Sequence, residues 1–581
     1  MAYIVVLSGA LAAVLLSIPI IFGDFTAYQI GLFLIYGIAA QGIGFLWGKT
    51  GILPLGQAMF FGVSAYVCAH ILLGIESLFL QILALIAALI VIASIAFVLA
   101  AVIFRGRSES GPYFSLITLA LVMIAEQVSG TATGLTGGFN GVGGFNPIAG
   151  LDQFGSLYYL IVAVVIITTA SLLLIDKLPA ALIARAIADN EPRLRLLGFP
   201  SHLIKGAVFA FSAILAALAG ILFASHQGIV TPTSTGFLLS ANFVIWTAVG
   251  GRNHVLGPLI GAVLIGYLSS ELRDSFQYWE VLLACLFILV VLKAPGGLAE
   301  LFVKLFNRIF PASNGSSATS NIVPATHIQS APAALKFREV RVKVGAVKIL
   351  DNVDFTTPQS GILCIIGPNG AGKTSLLNVI TGGLSVVGGA VKIDGNSVEN
   401  RPPYMALKSG IGRKLQVPSV FFSMTVFENL SISMMAGRAS LLDYFKPSTL
   451  KWRSDQLDTL LAIDRLPLIP QMNTSVAELP QGHRQFLEFA MTTAAVPRIL
   501  LLDEPCAGLS PEETKLMTSI VRDFQKTSGG LVILIEHDMS IVQSLSDKVL
   551  VLHQGEVLAH GSYTEIKADK NVNAVYVGGS K

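Results

Sequence analysis

Residues 362–377 read ILCIIGPNGAGKTSLL: an unbroken apolar run, a glycine-rich turn, and the opening of a helix. The run Ile362–Ile366 predicts a buried strand. "GPNGAGKT", Gly367–Thr374, matches G-x-x-x-x-G-K-[ST]. In that pattern glycines let backbone N–H groups curl round a phosphate, and the helix start adds its positive end. The expected cradle for ATP is Gly367, Pro368, Asn369, Gly370, Ala371, Gly372, Lys373, Thr374 and Ser375. Lys373 would reach the β and γ phosphates, and the Thr374 hydroxyl would reach Mg2+.

Two more runs of the same kind follow. Ile499–Leu502 leads into Asp503 and Glu504 in "ILLLDEP", and Leu531–Ile535 leads into Glu536 and His537 in "LIEHDM". Continuous apolar runs alternating with helical stretches predict a parallel-type sheet, hence an α/β nucleotide-binding fold. Downstream of a phosphate loop, an acidic pair at a strand end has a specific use. Asp503 suits the Mg2+ shell and Glu504 suits polarising the attacking water. A lone histidine at a strand end is as a rule structural, but His537 stands one strand beyond the acidic pair, where a γ-phosphate contact is expected. Gln416, in "GIGRKLQVP", carries nothing by itself, because surface glutamines are abundant.

The rest of the chain is of another kind. The first 310 of 581 residues hold 25 charged side chains, whereas the remaining 271 hold 48. With 53% hydrophobic residues and a mean hydropathy of +0.72, the first part reads as membrane-spanning and the second as soluble. Apolar runs lie at roughly 3–22, 28–48, 54–74, 77–104, 112–129, 156–176, 205–225, 237–250, 255–270 and 278–292. The eighth and ninth are short for ~30 Å of hydrocarbon, so eight to ten spans are expected. The first run, Tyr3–Ile21, has no Lys or Arg before it and no small-residue cleavage site after it, and is expected to be a retained span. With the N-terminus inside, the inside loops take Lys49, Arg105, Arg107, Lys177, Arg185, Arg193, Arg195, Arg252 and Lys293. The outside loops take Asp24, Glu76, Asp152, Glu271 and Asp274, with Arg273 their only cation. That is the positive-inside pattern, and it leaves the soluble part in the cytoplasm. A net charge of +3 offers no basic patch for nucleic acid. Cys68, Cys285, Cys364 and Cys506 are scattered without metal or disulfide spacing. "PASNGSSATSNIVPATHIQSAPAA", 311–334, reads as a flexible linker. The expected fold is multi-domain: an all-α polytopic membrane domain of eight to ten transmembrane helices over 1–310, then an α/β P-loop ATPase over 335–581.

Residues 335–580 resemble the ATPase of ATP-binding-cassette transporters, with both nucleotide motifs, Gln416, "AGLS" (507–510) and His537 in order. The resemblance implies catalysis by Glu504, His537 and Gln416, with Thr374, Asp503 and Gln416 around Mg2+. It also implies two cassettes that close head to tail, each phosphate loop meeting the other's signature motif. "IGRKLQ", "DEPCAGLSPEE" and the tail "VLHQGEVLAHGSYTEI" with "VYVGG" look like the branched-chain amino acid and urea import family, the tail leaning toward its urea or short-amide branch. Residues 25–300 resemble the same family's permease in "GILPLGQAMFFGVSAY", "GPYFSLITLAL", "LTGGFNGVGG" and "GPLIGAVLIGYLSSELRD". The family usually encodes permease and ATPase separately; here they look fused. The resemblance implies a bacterial inner-membrane importer working with a second permease, a second ATPase and an extracytoplasmic solute-binding protein. Rival readings are an exporter half-molecule, against which the short inside loops speak, and a membrane-tethered ATPase that regulates without transport.

Two departures from the family pattern stand out. Leu479, Pro480, Gln481, Gly482 and His483 replace the usual L-S-G-G-Q signature, and Pro480 offers neither hydroxyl nor N–H. Val344 stands where an adenine-stacking aromatic is usual. Because the signature serves the partner's ATP, these residues predict a heterodimer with one efficient and one weak site. "ALIARAIADNEPRLRLLGFP", 181–200, falls in the longest inside loop and is expected to be the helix that couples permease to cassette near Gln416. "TGLTGGFNGVGG", 133–144, reads most simply as a flexible outside loop, the alternative being bare backbone that lines the entry route. Glu126, an ionisable residue within the fifth span and so a functional candidate, reads first as a carboxylate that snorkels to water.

Overall fold

The computed structural model describes residues 2–105, 111–294, 296–301, 303, 332–436, 444–445 and 466–577. The chain divides into two compact units, Met1–Ala188 with His202–Ser317, and Asp189–Ser201 with Ala318–Lys581. The expected linker lies outside the described residues except for 332–334.

Each of the ten apolar runs falls on one helix of the first unit. These are α1 (Ala2–Phe22), α2 (Asp24–Thr50), α3 (Gln57–Gly74), α4 (Leu78–Ile103), α5 (Gly111–Thr131), α7 (Ser156–Ile175), α9 (Ser201–Gln227), α10 (Phe237–Gly250), α11 (Gly257–Ser275) and α12 (Trp279–Lys293). The one-turn α6 (Thr133–Thr136) and the amphipathic α8 (Pro179–Leu196) complete the order. Among the described residues six helices are long and apolar enough to cross a membrane, α2, α3, α4, α5, α7 and α9, while Ala12–Phe22, α10 and Gly257–Leu272 are shorter apolar helices. At ~1.5 Å per residue, the 14 residues of α10 reach about two thirds of the hydrocarbon thickness. Along α4 only Leu85, Ile92, Ala96 and Ala100 are buried, and Phe79, Ile90, Ile95 and Val98 are exposed. Such a helix, apolar all round, suits lipid on its open side.

Because lipid is as apolar as leucine, these helices are held by close backbone approach and by buried polar bonds. Gln41 on α2 donates to Thr169 Oγ1 on α7 at 2.9 Å, and Gln57 on α3 donates to Ser212 Oγ on α9 at 2.6 Å. Gly220 on α9 lies so near α3 that a Cβ there would stand 2.0 Å from the Phe61 carbonyl oxygen and 2.3 Å from Ser64 Oγ. The obstacle is backbone, which no rotamer change relieves, and overpacking of this kind costs about 1–3 kcal/mol or more. Gly220→Ala is therefore expected to lower the melting temperature of the detergent-purified protein by several degrees and to shrink the monodisperse peak on size exclusion. An unchanged melt would show that α3 and α9 can separate freely.

The glycine-rich stretch 133–144 is corrected from a flexible loop to built structure. It forms α6, a 3-10 turn (Gly138–Asn140) and β1 (Val142–Gly143), which pairs antiparallel with β2 (Ile229–Val230). The backbone donors that glycine-rich sequence leaves free are taken up by a neighbouring strand, which the local sequence could not reveal. Glu126 on α5 accepts the N–H of Phe237 at 3.1 Å, so it caps the N-terminus of α10.

The second unit holds two sheets. An antiparallel sheet runs β4-β3-β6-β7, from β3 (Leu335–Val344), β4 (Val347–Thr356), β6 (Gly388–Ile393) and β7 (Asn396–Ser397). The other has the order β12-β11-β5-β10-β9-β8, with β5 (Gly361–Ile366), β8 (Ile411–Lys414), β9 (Ile499–Asp503), β10 (Leu531–Ile535), β11 (Lys548–His553) and β12 (Glu556–Gly561). Only β12 runs antiparallel to its neighbour. Every residue of β9 and β10 is buried, which is why both read as continuous apolar runs. Since β5, β10 and β9 are adjacent and parallel, the three motifs read from sequence emerge side by side at their C-terminal ends. In open α/β sheets that edge is where ligands bind.

Candidate active site

The phosphate loop turns through left-handed backbone at Gly370 (φ 80°) and Gly372 (φ 98°), a region that side chains rarely adopt. Gly372 then caps the helix Lys373–Ile380. Lys373 Nζ donates to the Gly367 and Pro368 carbonyls at 2.8 and 3.0 Å, so its ammonium is folded over the loop. Burial pushes the pKa of Lys373 down, with Glu504 and Asp503 pulling the other way.

Asp503 ends β9 as a buried carboxylate. The Thr374 side chain lies beside it and Arg413 Nη2 lies 3.8 Å from its Oδ2, yet among the described residues Oδ1 has no hydrogen-bond partner. Burial pushes the Asp503 carboxyl up, Arg413 opposing. A buried orphaned oxygen beside a threonine hydroxyl at the end of a phosphate loop fits a hard divalent cation.

Glu504 is in the left-handed region at φ 45°, strain of about 1–3 kcal/mol for a residue with a side chain. Its N–H is fixed to the Ile535 carbonyl at 3.0 Å, which ties the ends of β9 and β10 together. Both carboxylate oxygens are then engaged. Gln416 Nε2 donates to Oε2 at 3.0 Å, and His537 Nε2 lies 3.0 Å from Oε1. The structure thus brings Gln416, Glu504 and His537 into one cluster, beside Lys373, Thr374 and Asp503.

Leu479–His483 share no hydrogen bond with that cluster among the described residues. Pro480 is the N-cap of the helix Gln481–Thr493 (φ −57°, ψ 154°) and gives it no side-chain cap. Gly482 packs under Glu513, whose Oε1 would stand 2.3 Å from a Cβ, and His483 Nδ1 lies 3.2 Å from Gln471 Oε1. Val344 is exposed at the end of β3.

Sequence reasoning passed over a break in α8 and the buried charges it brings near the site. α8 breaks at Asn190 (φ −151°, ψ 80°), because Pro192 cannot supply a helical N–H and its ring crowds the preceding turn. Asn190 Oδ1 then accepts the Arg193 N–H at 3.0 Å and starts a second short limb. This limb belongs to the second unit. Asp189 Oδ2 accepts from Ser423 N and Oγ, both at 2.7 Å, and Asn190 Nδ2 donates to Ser419 Oγ at 3.1 Å and to the Val420 carbonyl at 3.2 Å. Arg193 is wholly buried. Its guanidinium donates to the Arg413 carbonyl and Thr492 Oγ1 at 2.9 Å, and lies 3.4 Å from Glu488 Oε1. Glu488 is buried too, with Lys414 Nζ 3.6 Å from its Oε2. Burial pushes its carboxyl up, and Lys414 and Arg193 pull it down. The available signal was a charge inside an apolar helical face, Glu488 in "FLEFAM", and an Arg-Lys pair inside the strand of "IGRKLQ".

Residues 25–292 match the family described as the permease component of the branched-chain amino acid transport system, and residues 350–507 match the ABC transporter family. The high-affinity branched-chain amino acid transport ATP-binding protein LivG of Salmonella typhimurium is 33% identical over 242 residues, 41% of this chain and 94% of that protein. BraF of Pseudomonas aeruginosa, of the same description, is 31% identical over 248 residues, 42% of this chain and 97% of its own length. A crystal structure of a nucleotide-free ATP-binding cassette aligns at 26% identity and TM-score 0.37 over 42% of this chain and 98% of its own.

Proposed function

The chain belongs to the ATP-binding-cassette transporters of the branched-chain amino acid transport family, with permease and ATPase in one polypeptide, and we propose that it imports a branched-chain or closely related amino acid across a bacterial inner membrane. What carries this reading is the joining of a permease half of that type to a cassette with an assembled hydrolytic cluster. The phosphate loop binds ATP through its N–H groups and Lys373. Mg2+ would be held by Thr374 and Asp503, with Gln416 joining them, and bound there it neutralises phosphate charge. Glu504 takes the proton of the attacking water, its carboxylate aimed by Gln416 and His537, and His537 turns to the γ-phosphate as the cassettes close. The limb Asp189–Ser201 couples these events to the permease. Partners are a second permease, a second ATPase whose phosphate loop meets Leu479–His483, and an extracytoplasmic solute-binding protein.

The test is reconstitution of the complete transporter in vesicles with its binding protein outside and ATP inside. Leucine uptake that needs both ATP and binding protein is expected. Uptake of urea in preference to leucine would move the substrate to the short-amide class. ATPase activity indifferent to any solute or binding protein would overturn import.

A further inference from the structure

Among the charged side chains close to the ATPase strands, Arg193, Arg413, Lys414 and Glu488 are buried and have no part in the chemistry proposed above. Burying four charges is costly unless each is paired. Its geometry is directional. The Leu415 N–H donates to Glu488 Oε1 at 2.9 Å, the same oxygen that Arg193 Nη1 approaches. Leu415 is followed by Gln416, whose side chain holds Glu504. On the other side, Arg413 Nη1 donates to Asn378 Oδ1 at 2.6 Å and Thr381 Oγ1 at 2.9 Å at the end of the phosphate-loop helix, while its Nη2 faces Asp503. Arg193 thus grips the main chain of Arg413 and the carboxylate that orients Leu415. Arg413 faces Asp503, and Leu415 precedes Gln416, which holds Glu504.

We propose that Arg193, carried on the permease sequence, is a positioning residue of the ATPase: it fixes the backbone of Arg413–Leu415, and through it Gln416 and Asp503, so that its seating sets the rate of ATP turnover and not the affinity for ATP. The requirement is for arginine. A planar fork reaches the Arg413 carbonyl, Thr492 Oγ1 and Glu488 together, and a lysine ammonium cannot. Affinity is spared because, among the described residues, Arg193 bonds to Asn190, Arg413, Glu488 and Thr492 and not to Lys373 or the phosphate loop. The inference rests on the roles proposed for Gln416 and Glu504.

Steady-state ATPase and uptake are measured on the complete reconstituted transporter. Arg193→Ala is expected to lower kcat for ATP by about 10-fold or more with KM for ATP within about 2-fold, and Arg193→Lys to recover part of the loss. A wild-type kcat in Arg193→Ala overturns the proposal, as does a parallel loss of kcat and ATP affinity. If Arg193→Ala fails to fold, Thr492→Val removes one acceptor and leaves the Glu488 pair. It should lower kcat about 3-fold at unchanged KM, and no change would overturn the proposal. If the wild type hydrolyses ATP but moves no solute, import fails while the kcat effect of Arg193 is still read from ATPase alone. If Glu504→Gln turns over like the wild type, it is the site assignment that fails.

Discussion

Glu504→Gln is expected to lower ATP turnover by about 10²–10⁴-fold, the usual contribution of a positioned general base, with ATP binding retained. The substitution keeps size and shape and removes only the oxygen that can accept a proton. In the native site both carboxylate oxygens face a partner, Gln416 on one side and His537 on the other. A carboxamide can accept from one of them and must turn its NH2 toward the other, so the water's proton has nowhere to go. The phosphate loop and Lys373 are untouched, so binding of a fluorescent ATP analogue should stay within about 2-fold while phosphate release and solute uptake disappear together. Turnover within 10-fold of the wild type would mean that the base lies elsewhere and that the strained φ of 45° at Glu504 has some other cause.

The parts that were legible in sequence are those whose chemistry is local. Ile362–Ile366, Ile499–Leu502 and Leu531–Ile535 could be read as strands because burial on both faces demands unbroken apolar residues, and their order in the sheet puts Lys373, Asp503 and His537 along one edge. The place of Gln416 in the site was legible only through family resemblance, and its bond to Glu504 not at all, since Gln416 joins the site from β8, which pairs with β9 across 88 residues of sequence. Arg193 escaped altogether. In sequence it is one cation among several in an inside loop, and its burial follows from the fold of a cassette that begins more than a hundred residues later. The glycine-rich 133–144 failed for a related reason: whether glycine backbone is loose or paired depends on a strand at 229–230 that no local pattern announces. Helix-breaking at Asn190 needed only Pro192, and it was open to reading.

Lys373→Ala in this chain alone is expected to weaken ATP binding at its own phosphate loop by about 100-fold, the loss of two charge-assisted bonds to phosphate at about 1.5 kcal/mol each, and to abolish turnover there. What remains is the larger inference. In an assembly with a second, different ATPase, the surviving activity comes from the partner's phosphate loop completed by Leu479–His483 of this chain. Pro480 has no hydroxyl and no N–H to offer that ATP, and removal of a single donor to transition-state charge costs about 10²–10³-fold. Residual ATPase should therefore be about 1% of the wild type or less. Residual activity near half would mean that the divergent signature works as well as the usual one. The backbone at Pro480 (φ −57°, ψ 154°) is already that of a serine N-cap, so Pro480→Ser needs no rearrangement. Adding Pro480→Ser and His483→Gln to Lys373→Ala should then raise the residual rate by about 10-fold or more. In a homodimer Lys373→Ala would empty both phosphate loops and no signature repair could restore turnover, so the response to repair distinguishes two unequal sites from two equal ones.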